Sequence, residues 1–201
     1  MAQSIEIKTF TGNSIEPYIS DLARLRIEIF RDFPYLYEGS IAYEEKYLST
    51  YSQSPESFFA VAFDVERVVG MSTGVPMADE TEEFKQPFIE QGYDPESIFY
   101  FGESVLEKAY RGQGIGVRFF EEREGYATSL GRFTHTAFCA VERSGDHPAR
   151  PSNYQPLDAF WHNRGYRKYP ELKTEYAWLD VGDTEETSKP MIFWMKRLVT
   201  E

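Results

Sequence analysis

Apolar positions change their period several times along this chain, and each change marks an element. From Ser4 to Phe10 they alternate, with Ile5 and Ile7 on one face, as in a half-buried strand. From Ser14 to about Phe30 the spacing becomes helical through Ile19, Leu22, Leu25, Ile29 and Phe30, and Pro34 stops it. Ile41 to Tyr51 reads as a second helix, with Pro55 preventing continuation. The runs SFFAVAFD and RVVGMSTGV predict two strands joined through Asp64, Val65 and Glu66 as a hairpin. Met77 to Gly92 is acidic and of mixed period, so no element is assigned there.

FYFGESVL, from Phe99 to Leu106, reads as a buried strand. A glycine-rich turn leads from it into a helix expected from about Gly114 to Leu130, with Phe120, Ala127 and Leu130 inward and Gly131 ending it. RFTHTAFCAV predicts another strand. A polar, proline-marked loop then leads to a short helix around Leu157 to Arg164, followed by strands around Leu172 to Leu179 and Met191 to Val199. No repeat or linker divides the chain. The order of elements is that of one mixed α/β domain over residues 1–201.

Composition narrows the function. The net charge is −12, from 33 acidic and 21 basic residues. Phosphate-backbone binding relies on Lys and Arg, so no nucleic-acid partner is expected. An acidic surface suits cationic small molecules, and it also serves solubility alone. No apolar run reaches the ~20 residues of a membrane helix, and no membrane partner is expected. The single cysteine, Cys139, and a start without a basic, apolar leader point to a cytoplasmic protein.

The most informative stretch is VLEKAYRGQGIGVRFFEEREGYATSLG. Here a strand runs through Arg111, Gly112, Gln113, Gly114, Ile115 and Gly116 into a helix. Glycines let the backbone approach a ligand closely, and the first helical N–H groups lack intrahelical partners at a positive dipole end. That combination suits a phosphate or pyrophosphate, although tight packing of helix on strand explains the same glycines. The stretch fits neither the P-loop nor the dinucleotide fingerprint.

Arg111, Gly114 and Gly116 match the Gln/Arg-x-x-Gly-x-Gly/Ala acyl-CoA motif, and the chain resembles the GNAT N-acetyltransferase superfamily. Leu106 stands where that family ends the apolar part of its central strand. Trp161, Gly165 and Tyr166 match its later aromatic-x-x-x-Gly-Phe/Tyr pattern. The resemblance implies an α/β fold with a mixed, mostly antiparallel central sheet flanked by helices. It also implies acetyl-CoA as co-substrate and direct acetyl transfer to a primary amine of a small or amino-acid-like acceptor. The pantetheine arm would lie beside Gly102 to Leu106 and the pyrophosphate on the amides of Arg111 to Gly116. A backbone N–H near Val105 or Leu106 would receive the thioester oxygen.

Glu103, on that strand, is the first candidate for the base, with Glu142 and Asp146 as alternatives; a salt-bridged carboxylate is the competing reading. The family commonly places a tyrosine acid where this chain has Trp161, whose indole cannot usefully release a proton. Tyr154, Tyr166 and His162 are neighbouring alternatives, and the acid stays unassigned. Asp146 and His147, in the loop DHPARP, suit substrate binding or a stiff surface turn. Tyr35 and Tyr37 belong to an aromatic and acidic segment that would hold a cationic amine or serve as core. Cys139 within AFCAV reads as a core thiol. No second His or Cys stands at ligand spacing from His147, so no metal is expected. A homodimer is compatible with the aromatic content. Two rivals remain: an acyl-CoA-binding sensor without catalysis, favoured by Trp161, and a protein-interaction domain using the aromatic segment.

Overall fold

The structure is a computed structural model and describes residues 5–198. Ser4 and Val199, at the ends of the first and last expected strands, lie outside that range. The elements in chain order are β1 (Glu6–Thr11), α1 (Ile19–Phe30), α2 (Ile41–Ser52), β2 (Phe58–Asp64), β3 (Arg67–Pro76) and α3 (Glu82–Glu90). They continue with β4 (Ile98–Tyr100), β5 (Ser104–Leu106), α4 (Ile115–Ser129), β6 (His135–Val141), α5 (Asp158–Asn163), β7 (Arg167–Leu179) and β8 (Glu186–Arg197).

The strands form one sheet in the order β1-β2-β3-β4-β6-β8-β7, with β5 paired to β3 beyond β4. Every pairing is antiparallel except β4 with β6. This is the mixed, mostly antiparallel sheet expected from the sequence. Both faces are covered, which explains why β2 reads as an uninterrupted apolar run. Its Phe59, Val61 and Phe63 join one core with Leu22 and Leu25 of α1 and Leu48 of α2. Its Phe58, Ala60 and Ala62 join the other, with Phe119 and Phe120 of α4 and Trp194 of β8.

Three expectations need correction. The helix predicted from Ser14 begins at Ile19, and Gly12–Tyr18 forms a 3₁₀ helix instead. Pro17 disfavours α geometry at Glu16, so the regular helix starts only after it. The unassigned acidic segment contains a 3₁₀ turn (Met77–Asp79) and α3, whose Phe88 is buried. The single strand predicted over Phe99 to Leu106 is two strands, β4 and β5.

The last link from the β4 side to β6 is the Phe101 N–H to the Ala137 carbonyl, 2.7 Å. Beyond it, β5 follows β3 while β6 continues along β8, so the sheet opens into a wedge between them. Gly102 sits at the parting point. A Cβ there would lie 2.6 Å from the Tyr51 hydroxyl and 2.7 Å from Thr73 Oγ1, so no larger residue fits.

Thr73 and Glu103 lock the bend. Thr73 N–H donates to the Glu103 carbonyl (3.0 Å), and Glu103 N–H donates to Thr73 Oγ1 (3.2 Å). From α4, Arg123 donates to both carbonyls, Thr73 at 3.3 Å and Glu103 at 3.2 Å, with its guanidinium over Phe101 and Phe120. Burial pulls its pKa down to about 10. A guanidinium that is 2% exposed is tolerated here because its donors meet carbonyls and its faces meet rings. Replacing Arg123 with methionine keeps the stem but removes those donors. It should destabilise the fold by about 2 kcal/mol, read as a lower urea midpoint with an unchanged slope.

Candidate active site

The wedge presents free backbone on its β5 edge. Glu103 and Glu107 both direct their N–H groups at β3, to Thr73 Oγ1 and to the Val69 carbonyl at 3.0 Å. Strand alternation then turns the Val105 N–H toward β3 as well and leaves Ser104 and Leu106 facing the wedge. Of the two residues expected to offer an amide there, Leu106 therefore has the right orientation. Val105 does not: its amide belongs to the β3 ladder and its side chain to the core.

At the end of β5 the chain enters the glycine turn. Gly112 and Gly114 have φ of 76° and 80°, left-handed conformations that side-chain-bearing residues rarely adopt. Among the described residues no atom lies within 4 Å of a Cβ built on either, so their outer surface has room for a ligand. The Gly114 carbonyl accepts the Val117 and Arg118 amides, leaving those of Ile115 and Gly116 ahead of the first helical bond. Gln113 is exposed and donates to the Ala109 carbonyl (3.3 Å). Arg111 Nε donates to the Leu106 carbonyl (3.1 Å), tying turn to strand. The wedge edge and the positive helix end thus form one continuous surface suited to an extended ligand ending in phosphates.

On the opposite face of the sheet, α1, α2, β4, β6 and β7 surround a polar aromatic cluster. Arg26 of α1 forms ion pairs with Glu44 of α2 and with Glu103, and its guanidinium stacks on Tyr47 at 4.4 Å. Burial alone would lower the Arg26 pKa, but Glu103, Tyr47 and Glu44 outweigh it and raise it. Glu44 is fully buried, and one carboxylate oxygen each of Glu44 and Glu103 has no hydrogen-bond partner among the described residues. Nearby, Tyr51 donates to Glu80, just beyond β3, and the Tyr100 hydroxyl meets Cys139 Sγ at 3.1 Å. Burial pushes the Cys139 thiol up to about 12, so it is a protonated core thiol at neutral pH.

Tyr35 and Tyr37 line the β7 side of this cluster. The Tyr35 carbonyl accepts from Trp178 Nε1 (3.0 Å) and from Arg143 (2.9 Å), and Tyr37 bridges to Asp180. Burial raises both phenols above their ordinary value. Asp146 lies outside, exposed and bonded by Ser144, while His147 packs its ring on Phe33 at 5.8 Å. Glu142 is taken by Lys168 at 2.7 Å.

Trp161 packs against Phe138 and Trp194, at ring distances of 5.1 and 5.0 Å, and presents no hydroxyl. Tyr166 is fully buried, its hydroxyl shared between Thr136 and Glu124. His162 lies on Trp194, and Tyr154 is edge-on to Phe33.

Sequence reading missed Arg26, Glu80, Tyr100, Tyr176 and Trp178 as members of this cluster. A signal existed for Arg26, which follows Leu22 at i,i+4 on a core-facing helix stripe. Charges on such stripes either pair or act.

No family model and no curated relative matches the sequence. Solved structures do. A ribosomal-protein-alanine N-acetyltransferase from Brucella melitensis aligns over 96% of this chain and 99% of its own, at 14% identity and a TM-score of 0.61. A GNAT-family acetyltransferase from Streptococcus pneumoniae aligns over 98% and 100%, at 13% identity and a TM-score of 0.59. A candidate acetyltransferase from Salmonella typhimurium, solved with its cofactor acetyl-CoA, aligns over 98% and 95%, at 8% identity and a TM-score of 0.60. With the wedge, the glycine turn and end-to-end alignment on these proteins, the chain has the fold of the GNAT acetyltransferases.

Proposed function

We propose that the protein is an acetyl-CoA-dependent N-acetyltransferase acting on a primary amine of a small acceptor. The observation that carries this reading is the wedge between β5 and β6 leading directly onto the open turn from Arg111 to Gly116. The free Ser104 and Leu106 edge suits the amide-bearing pantetheine arm, and Leu106 N–H would receive charge developing on the thioester oxygen. The Gly112, Gln113, Gly114, Ile115 and Gly116 amides would take the pyrophosphate, with Arg111 beside them. The acidic, aromatic cluster on the other face supports a cationic acceptor, with Tyr35 and Tyr37 in its wall. His147 and Asp146 would contribute only at the rim.

A second reading, acyl-CoA binding without turnover, is favoured by Trp161 standing in the aromatic packing in place of a tyrosine acid. In the enzyme reading, the departing thiolate takes its proton from the attacking nitrogen.

Gln113→Asp separates ligand binding from stability. A carboxylate at a helix N-terminus favours the helix, yet it repels a pyrophosphate. The melting temperature should hold or rise while acetyl-CoA affinity, measured by calorimetry, falls at least about tenfold. Equal affinity in variant and wild type would remove the turn from the site. Direct transfer also predicts that Cys139→Ala keeps amine-dependent release of free CoA thiol within about threefold of wild type. A stalled acetyl-enzyme detected by mass spectrometry in the wild type would contradict direct transfer.

A further inference from the structure

Two carboxylates stand near the point where the sheet parts, and their surroundings differ. Glu103 has one carboxylate oxygen on Arg26, its N–H on Thr73 and its carbonyl on Thr73 and Arg123, while its second carboxylate oxygen has no partner among the described residues. Its carboxylate belongs to a buried ion-paired unit in which Arg26 also holds Glu44, so a cation already engages it. Glu80 forms no ion pair with a Lys or Arg among the described residues. It accepts from the Tyr51 hydroxyl and, at 3.3 Å, from the Thr81 N–H. The Tyr51 hydroxyl is the atom that abuts Gly102 at the parting point, so one phenol connects Glu80 to the floor of the wedge.

Resting on the acetyltransferase reading above, we infer that Glu80 is the proton acceptor for the attacking amine and that Tyr51 is its positioning residue. The acceptor ammonium gives one N–H proton to the Glu80 carboxylate. The freed nitrogen lone pair forms the C–N bond as the C–S bond breaks. The nitrogen's surplus proton passes to the departing thiolate, giving free CoA, and Glu80 returns its proton to solvent. Burial, opposed by the Tyr51 and Thr81 hydrogen bonds, raises the Glu80 pKa above its ordinary value, which brings it closer to the working range of a base. Tyr51 is itself raised well above its ordinary value by burial and by Glu80, so it remains a phenol and a donor.

The groups whose charge reaches this carboxyl come from every packed element. They are Tyr47 and Tyr51 of α2, Tyr100 of β4, Glu103, Cys139 of β6, Tyr176 of β7, and Asp79 beside it. Glu103 and Asp79 are the carboxyls among these, and Glu103→Gln serves as the control for an acid limb that does not come from Glu80. Asp79 is exposed and bonded by Ser54 at 2.6 Å.

The test measures acetyl transfer from acetyl-CoA to phenethylamine, spermidine and hydroxylamine across pH 5 to 9, with acetyl-CoA binding followed by calorimetry. Glu80→Gln should lower kcat for the alkylamines by on the order of 10²–10⁴ and abolish the acid limb, with acetyl-CoA affinity unchanged. The loss should be smaller for hydroxylamine, which is already neutral at pH 7. Formate should partly restore Glu80→Ala. Glu103→Gln should lower stability and keep the acid limb. An intact acid limb in Glu80→Gln, or its disappearance in Glu103→Gln instead, would overturn the assignment. Wild-type protein that binds acetyl-CoA yet acetylates none of the three would overturn the acetyltransferase reading, and this inference with it.

Discussion

Everything in the site depends on one bend in the backbone, at Gly102 and Glu103. A strand running on beside β6 would close the sheet and leave no edge for a ligand. The chain instead turns aside with β3, and three devices hold it there. Gly102 lets the Tyr51 hydroxyl and Thr73 press against the backbone. Thr73 binds Glu103 through both main chain and side chain. Arg123 reaches through from α4 to the two carbonyls of the bend. A buried guanidinium is a costly way to meet carbonyl groups, and its use at this position marks where the fold cannot relax.

The two sides of the sheet divide the chemistry. On the α4 side the groups left open are backbone amides, at a helix start and at a strand edge. On the α1 and α2 side the charges are side chains, three carboxylates and one arginine among tyrosines. Arg26 balances Glu44 and Glu103 as a single buried unit, which leaves Glu80 outside the ion-pair network. Low surrounding polarity strengthens each of these interactions, so a small imbalance in formal charge has a large effect on which group holds a proton.

The open glycine turn was legible in the sequence because it is local. Arg111, Gly112, Gly114 and Gly116 act through backbone geometry over a few consecutive residues, and glycine is the one side chain whose absence is visible in a sequence. The hairpin of β2 and β3 and the helix α4 were legible for the same reason, and the last two strands were placed but each begins five residues earlier than its apolar run, at Arg167 and Glu186. The division of Phe99 to Leu106 into two strands was not legible. Gly102, Glu103 and Ser104 interrupt its apolar residues, but what turns the chain there is Thr73 and Arg123, each at least twenty residues from Glu103 or Gly102.

By itself, then, the sequence determined most of the elements, the glycine turn and the mixed α/β order, since each rests on neighbours along the chain. Only the tertiary structure decided which amide of Val105 and Leu106 faces the wedge. It also decided that Glu103 is bound to an arginine from the first helix, and that Glu80 and Tyr51 meet Gly102. Those are relations between residues far apart in the chain. A carboxylate's protonation depends on what surrounds it in three dimensions, and its sequence neighbours do not reveal whether that partner is a cation, a phenol or water.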